Sequence, residues 1–569
     1  MSRRGGALIA LVALEVALAV VAGGRATWAD YGDDPPRRAP APRAPVVRPR
    51  PSAPAPLALP VPVDDGVILH VLSRAAFGPR PGDLERVRAM GLGAWLALQL
   101  DPARIDAAAV DGTLAPLASL RMSVDELLRA YPRPDPLTRQ KIAAGELTPR
   151  EAMEKYPVER RPGRIVADLQ AAKMIRAVAS ERQLEEVMID FWFNHFNVYA
   201  LKGDGRWYVT AYERDAIRPH ALGRFRDLLG ATARHPAMLY YLDNWLSVRT
   251  DFVPQRGPNA GRRLGLNENY ARELMELHTL GVDGGYTQAD IREVARAFTG
   301  WSIDRPRADG YFIFRPMVHD PFQKTVLGAR IVAGSGEEEG ERVLDLLARH
   351  PSTARFIATK LCRRFVADDP PPALVERVAS AFRASDGDAR ATLRALLTAP
   401  EFYGAAARRA KIKRPFDFVV TSARALGAQV DARGGLALAR ASAGIGEALY
   451  EAEPPTGYTD RAEQWVNPGA LLARMNFALA LAHNRIDGVR VDVRGLVAGA
   501  DRAHPDAVLD RLVAGVLHGA ASPATRAVLA AHLRDPQITR RTPDDRDPAD
   551  TDVEKLAALV LGSPEFQRR

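Results

Sequence analysis

A single cysteine, Cys362, stands in the whole chain. That excludes an intramolecular disulfide and any zinc or iron–sulfur site built from several thiolates. In the run Lys360-Leu361-Cys362-Arg363-Arg364-Phe365 the thiol sits on a predicted helix and reads as a small buried hydrophobe. Long apolar runs are equally scarce. Past the N-terminal region no stretch reaches the roughly 18 uninterrupted apolar residues of a membrane helix, so no transmembrane span is expected in the mature chain. No stripe of lysines and aromatics marks a nucleic-acid groove. Of the formal charge of +9, residues 1–60 carry eight arginines against four acids, which leaves +5 for the rest. That surplus reads as solvated surface, and no nucleic-acid partner is expected. A phosphate-cradling loop with its lysine, an EF-hand ligand series and an HExxH zinc motif are all missing.

The chain itself begins with an address. Arg3 and Arg4 precede an apolar run from Ala7 to Ala22, broken only by Glu15, and Thr27-Trp28-Ala29 supplies a small-x-small cleavage site. Residues 1–29 are therefore predicted to be a secretory signal peptide, which puts the protein outside the cytoplasm, periplasmic or extracellular. Ser2-Arg3-Arg4 leaves twin-arginine export open. Residues 30–66 come next as a proline-rich spacer: eleven prolines lie between Pro35 and Pro62, a composition that stays extended and builds no core. It is either a tether or a leader without a role.

From 67 to 569 the pattern is helical. Val67–Leu72, Asp83–Met90, Gly93–Leu100, Arg164–Val178, Leu184–Phe193 and Arg342–Ala348 place apolar residues three and four apart. Ser180 with Gln183, and Thr287 with Asp290, fit the capping box. Tyr311–Phe314 and Thr325–Leu327 are β-prone and allow one small hairpin. The prediction is a mainly α, large multi-helical globular body with at most a small β-hairpin insertion. Leu393–Phe402 echoes Leu556–Phe566, both ending in Pro-Glu-Phe, which allows two subdomains dividing near 403–435.

The densest segment is Asn267–Gly281, read as one capped helix: Asn267 or Asn269 at its start, Gly281 at its end. Tyr270, Leu274 and Leu277 would form the buried face, with Asn269, Arg272, Glu273 and Glu276 together on the other. Two carboxylates at i and i+3 can share a divalent cation or hold one proton between them, which separates their pKa values for acid–base work. The plain alternative is a solvated face with Glu268–Arg272 and Arg272–Glu276 ion pairs. His278 lies about 200° around the helix from Glu276 and cannot join the same ion.

In Asp190–Tyr199 polar groups interrupt aromatic ones. His195 shares a face with Leu184, Val187 or Met188, and Phe191, so it needs a hydrogen-bond partner in apolar surroundings. It is either a satisfied core histidine or a neutral base. His319-Asp320-Pro321 with Lys324 reads as a turn, and Asn467 as a helix cap.

Leu72–Pro79, Phe191–Asn197, Asn267–Gly281 with its continuation to Trp301, Trp465–Pro468 and Ser563–Phe566 together resemble the bacterial domain-of-unknown-function family 1800, over roughly Val67 to Arg569. The resemblance implies export, often behind twin-arginine-like leaders, and a co-secreted sulfatase-like protein as a candidate partner; it carries no catalytic residues. The residues themselves leave two readings. One is a hydrolase-like envelope or extracellular enzyme using Glu273 and Glu276 with His195, Asn269 and Arg272 nearby. The other is a non-enzymatic exported scaffold or partner.

Overall fold

The computed structural model describes residues 54–255, 259–308, 310–501, 504–532 and 552–569. The predicted signal peptide and most of the spacer lie outside them. The last part of the spacer is described: residues 54–62 run extended against the body, where Leu57 is buried and its amide donates to the Gly93 carbonyl at 3.0 Å. Leu57, Leu59 and Val61 are the apolar residues that this proline-rich stretch has to bury, and they pack on the core.

Asp64 starts the first helix of the body, Asp65–Ala75, by accepting from the Val67 amide at 2.8 Å. The predicted helices appear at Asp83–Met90, Leu92–Gln99, Gly163–Ala179, Gln183–His195 and Glu337–Arg349. Their apolar stripes meet in one hydrophobic cluster that runs from Leu57 to Phe566, with Trp192 and Trp301 among its largest fully buried side chains. Each such ring contributes on the order of 2–3 kcal/mol by leaving water. Cys362 is buried and free, and burial pushes its thiol up to about 12.

Gly163–Ala179 lies at the centre and packs against Pro415–Ala425 and Ala432–Ile445. Gly435 permits the second contact, because a Cβ there would fall 2.6 Å from the Ala171 carbonyl oxygen. Every residue of Pro415–Ala425, inside the stretch where the sequence allows a division into subdomains, is buried. Pro468–Ala482, capped by Asn467, packs on Val553–Gly562. No described helix is long and apolar enough to cross a membrane.

Strand content is slight, and the protein is mainly α. Tyr311–Phe314 and Lys324–Val326 do not pair with each other as one hairpin. Tyr311–Phe314 pairs antiparallel with Trp301–Asp304, Lys324–Val326 with Ala329–Ile331, and Gln429–Val430 with Val489–Arg490. For the first two, the strand nearest in sequence supplied the partner, as short turns favour. Thr287 and Asp290 form the expected capping box. Ser180 does not cap Gln183–His195, whose N-cap is Arg182; the Ser180 hydroxyl oxygen accepts from the Arg182 amide at 3.0 Å instead.

Candidate functional site

The Asn267–Gly281 segment is not one regular helix. The Asn267 side-chain oxygen accepts from the Asn269 amide at 2.9 Å, and an α-helical turn runs over Asn269–Glu273. The bonding then widens into a π-helical turn, Leu274–Thr279, before Gly281 ends the element at φ 84°. One extra residue in the turn rotates the rest of the segment by about 100°. Met275, His278 and Thr279 therefore join Tyr270 and Leu274 inside, and Leu277, expected in the core, is only half-buried. The Thr279 hydroxyl donates to the Leu274 carbonyl at 2.6 Å.

Glu273 and Glu276 stay on the outer, half-buried side. Burial, and then the Glu276 charge, raise the Glu273 carboxyl above its ordinary value, with Arg272 opposing. The Tyr286 hydroxyl donates to Glu276 Oε2 at 3.3 Å, and burial followed by that carboxylate pushes the phenol up to about 12. Tyr241 is on the Glu273 side: burial, then Glu273 and Glu453, raise its phenol, and its hydroxyl donates to the Glu453 carbonyl at 2.6 Å. Arg272 pairs with Glu268 at 3.6 Å and donates to Gln288 at 3.0 Å, turning away from Glu276. Asn269 donates to the Leu242 carbonyl at 3.4 Å, tying the start of the helix down.

His195 is buried beneath the same π-helical turn rather than beside the carboxylates. Its Nε2 donates to the His278 backbone oxygen at 3.0 Å, which leaves Nδ1 a lone pair with no partner among the described residues. Nε2 of the buried His278 likewise has no partner among the described residues. Burial, then the Lys360 charge, hold both imidazoles neutral: His278 falls to about 3, and His195 falls well below its ordinary value. The structure thus keeps Glu273 and Glu276 on one side and meets their turn from beneath with His195, through the His278 carbonyl and ring.

Sequence reasoning missed a buried charge centre behind this turn. Asp190 takes Lys173 at 2.7 Å and a hydrogen bond from Arg414. Arg364 grips Asp417 with both guanidinium nitrogens, at 3.1 and 3.2 Å. Arg569 reaches Asp417 at 3.4 Å, and Arg414 reaches Glu447 at 3.4 Å. Burial alone would raise the Asp190 and Asp417 carboxyls, but the surrounding cations hold both well below the usual range. Glu447 goes the other way, because burial and its acidic neighbours outweigh Arg414. The available signal was a charge inside an apolar run, as in Phe416-Asp417-Phe418-Val419, with Arg414 three residues before it, but its partners Arg364 and Arg569 lie far away along the chain.

A cavity of about 20 Å³, room for one water, opens among Lys173, Asp190, Asn194, Asn197, Glu447 and Tyr450. Asn197 donates to the carbonyls of Ala452 and Pro454, both at 2.9 Å, and Asn194 to that of Tyr458 at 2.7 Å. The loop they hold also accepts from Tyr241, so it runs between the cavity and the Glu273 side. His319, Asp320 and Lys324, expected to form a simple turn, are buried: Lys324 and His319 both face Glu339, and Asp320 takes Arg296 at 2.9 Å. Among the described residues no three His, Cys, Asp or Glu side chains form a group able to hold a metal ion.

These features define a mainly helical protein with a half-buried carboxylate pair where an α-helical turn passes into a π-helical one, set over a neutral histidine pair and next to a paired charge centre. The chain belongs to the DUF1800 family, described as a protein of unknown function, whose family model matches residues 70–568. No curated protein and no solved structure matches it.

Proposed function

We propose that the protein is an exported, periplasmic or extracellular, hydrolase-like enzyme in which Glu273 and Glu276 work as an acid–base pair. The observation that carries the reading is their placement. The two half-buried carboxylates flank the change from α- to π-helical turn, and burial with mutual charge keeps Glu273 protonated to higher pH than an ordinary glutamate. In this reading Glu273 donates a proton and ionised Glu276, held by Tyr286, accepts one. Asn269 and Arg272 fix the start of the turn, and His195 is a positioning residue that holds the His278 carbonyl. The apolar run and small-x-small site at the N-terminus support export.

The test is hydrolysis by protein purified after native export, screened on chromogenic esters, glycosides, sulfate esters and phosphate esters. Hydrolysis lost in Glu273→Gln and Glu276→Gln, with melting unchanged, supports the reading. Hydrolysis untouched by both substitutions, or found on no substrate, overturns it.

One observation favours a second reading, an exported partner of a co-secreted sulfatase-like protein. Met317, Phe322 and Val332 are 76%, 67% and 56% exposed on and beside the small hairpins.

A further inference from the structure

The cavity beside the charge centre is lined by charges of both signs. Lys173 and Arg414 face it with Asp190 and Glu447, and all four side chains are buried. An anion there would meet two carboxylates and a metal cation two positive groups, so neither sign of ion is favoured. The volume of about 20 Å³ has room for one water.

The hydrogen bonds of the lining are incomplete. Lys173 carries three N–H groups, of which Asp190 Oδ1 takes one at 2.7 Å. The Phe193, Phe416 and Tyr450 rings stand 5.8, 5.2 and 5.3 Å from the ammonium and accept no ordinary hydrogen bond. Glu447 Oε2 accepts from the Phe416 amide at 2.9 Å and Oε1 faces Arg414 at 3.4 Å, so each oxygen keeps a further lone pair. A neutral molecule that accepts from an ammonium and donates to a carboxylate suits both.

The cavity also has an identifiable mouth. Asn194 and Tyr458 are the half-buried members of its lining, and the others are buried. Asn194 Nδ2 donates to the Tyr458 carbonyl and Asn194 Oδ1 accepts from the Tyr458 amide, both at 2.7 Å. Gly457 permits this approach: its φ is 67°, and a Cβ there would fall 2.5 Å from Asn194 Oδ1. One side-chain amide thus clips the loop across the opening.

We propose that this cavity is a binding site for one water, which accepts from Lys173 and donates to Glu447, and that the Asn194–Tyr458 clip is the gate through which it exchanges with solvent. The water completes the hydrogen bonds of the ammonium where no protein group does, and opening the clip gives solvent a path to a charge centre that is otherwise sealed. The inference stands apart from the reading of Glu273 and Glu276.

Diffraction from crystals of the full mature chain soaked in sodium bromide, with data at the bromine edge, tests the occupant. One solvent peak within hydrogen-bond reach of Lys173 Nζ, without bromine signal, is expected. A bromine signal, which would make it an anion site, or no peak at all overturns the proposal. Oxygen-17 relaxation dispersion in solution tests the gate. Ala452→Val fills the cavity, and the part of the dispersion that it removes belongs to the bound water. Asn194→Ala, which loses both bonds of the clip, should shorten the residence of that water at least about tenfold. Should that variant not fold, Asn194→Asp, which loses only the donor, should shorten it in the same direction. An unchanged residence time in a folded variant overturns the gate.

Discussion

His195 Nε2 donates to the backbone oxygen of His278 at 3.0 Å, across 83 positions of sequence. This bond ties the Gln183–His195 helix to the π-helical turn that carries Glu276, and both imidazoles are buried around it. His195→Ala should cost about 3 kcal/mol, from the space left and the carbonyl stranded without a donor. Urea denaturation should show it as a lower midpoint. A midpoint shift under a third of that size would mean that the bond carries little.

Acid should weaken the fold through the same pair. An unfolded His278 takes its proton near 6.5, the folded one only at about 3. Between those values the unfolded chain binds more protons, so stability falls as pH falls. His70 and His235, both lowered to about 4 chiefly by burial, add in the same direction. Melting temperature measured from pH 7.5 to 4.5 should drop steadily, and His278→Gln should flatten part of the slope.

Much of the scaffold was legible in the sequence, because three- and four-residue apolar spacing survives to fix helices such as Asp83–Met90 and Gly163–Ala179. Glu273 and Glu276 were found as neighbours for the same reason. The π-helical turn was not, since nothing in Leu274–Thr279 marks one extra residue before the ladder closes; hence Leu277, expected in the core, is only half-buried. The charge centre was hidden for a different reason. Lys173, Asp190, Arg364, Arg414 and Asp417 meet only once four helices and a loop have packed, and no local spacing reports that.

Asp190→Asn should be among the costliest single changes. It leaves Lys173 and Arg414 buried without their shared counter-charge, a loss of about 3–5 kcal/mol. Chemical denaturation and soluble yield measure it. A loss below about 1 kcal/mol would mean that water or Glu447 takes over the pairing.

Gly281→Ala should strain the end of the π-helical turn. The position has φ 84°, and a Cβ would meet Phe356 Cδ2 at 2.9 Å. A cost of about 1–2 kcal/mol is expected from the left-handed backbone alone, with a shift of the Phe356 ring visible in aromatic NMR signals. Unchanged stability and ring signals would contradict this.

Arg272→Ala separates charge from structure. The Glu268 pair is partly exposed, so stability should change by less than about 1 kcal/mol. The Glu273 carboxyl should nevertheless rise further, because Arg272 is the cation that lowers it.

The most direct measurement is a side-chain carboxyl titration by carbon-detected NMR on selectively labelled glutamate, in wild type and in Glu276→Gln. The account predicts a Glu273 midpoint above the ordinary 4.5 in wild type and a fall toward it when the Glu276 charge is removed. An ordinary Glu273 midpoint that Glu276→Gln leaves unmoved would show two independent surface carboxylates, and the acid–base pair would be lost.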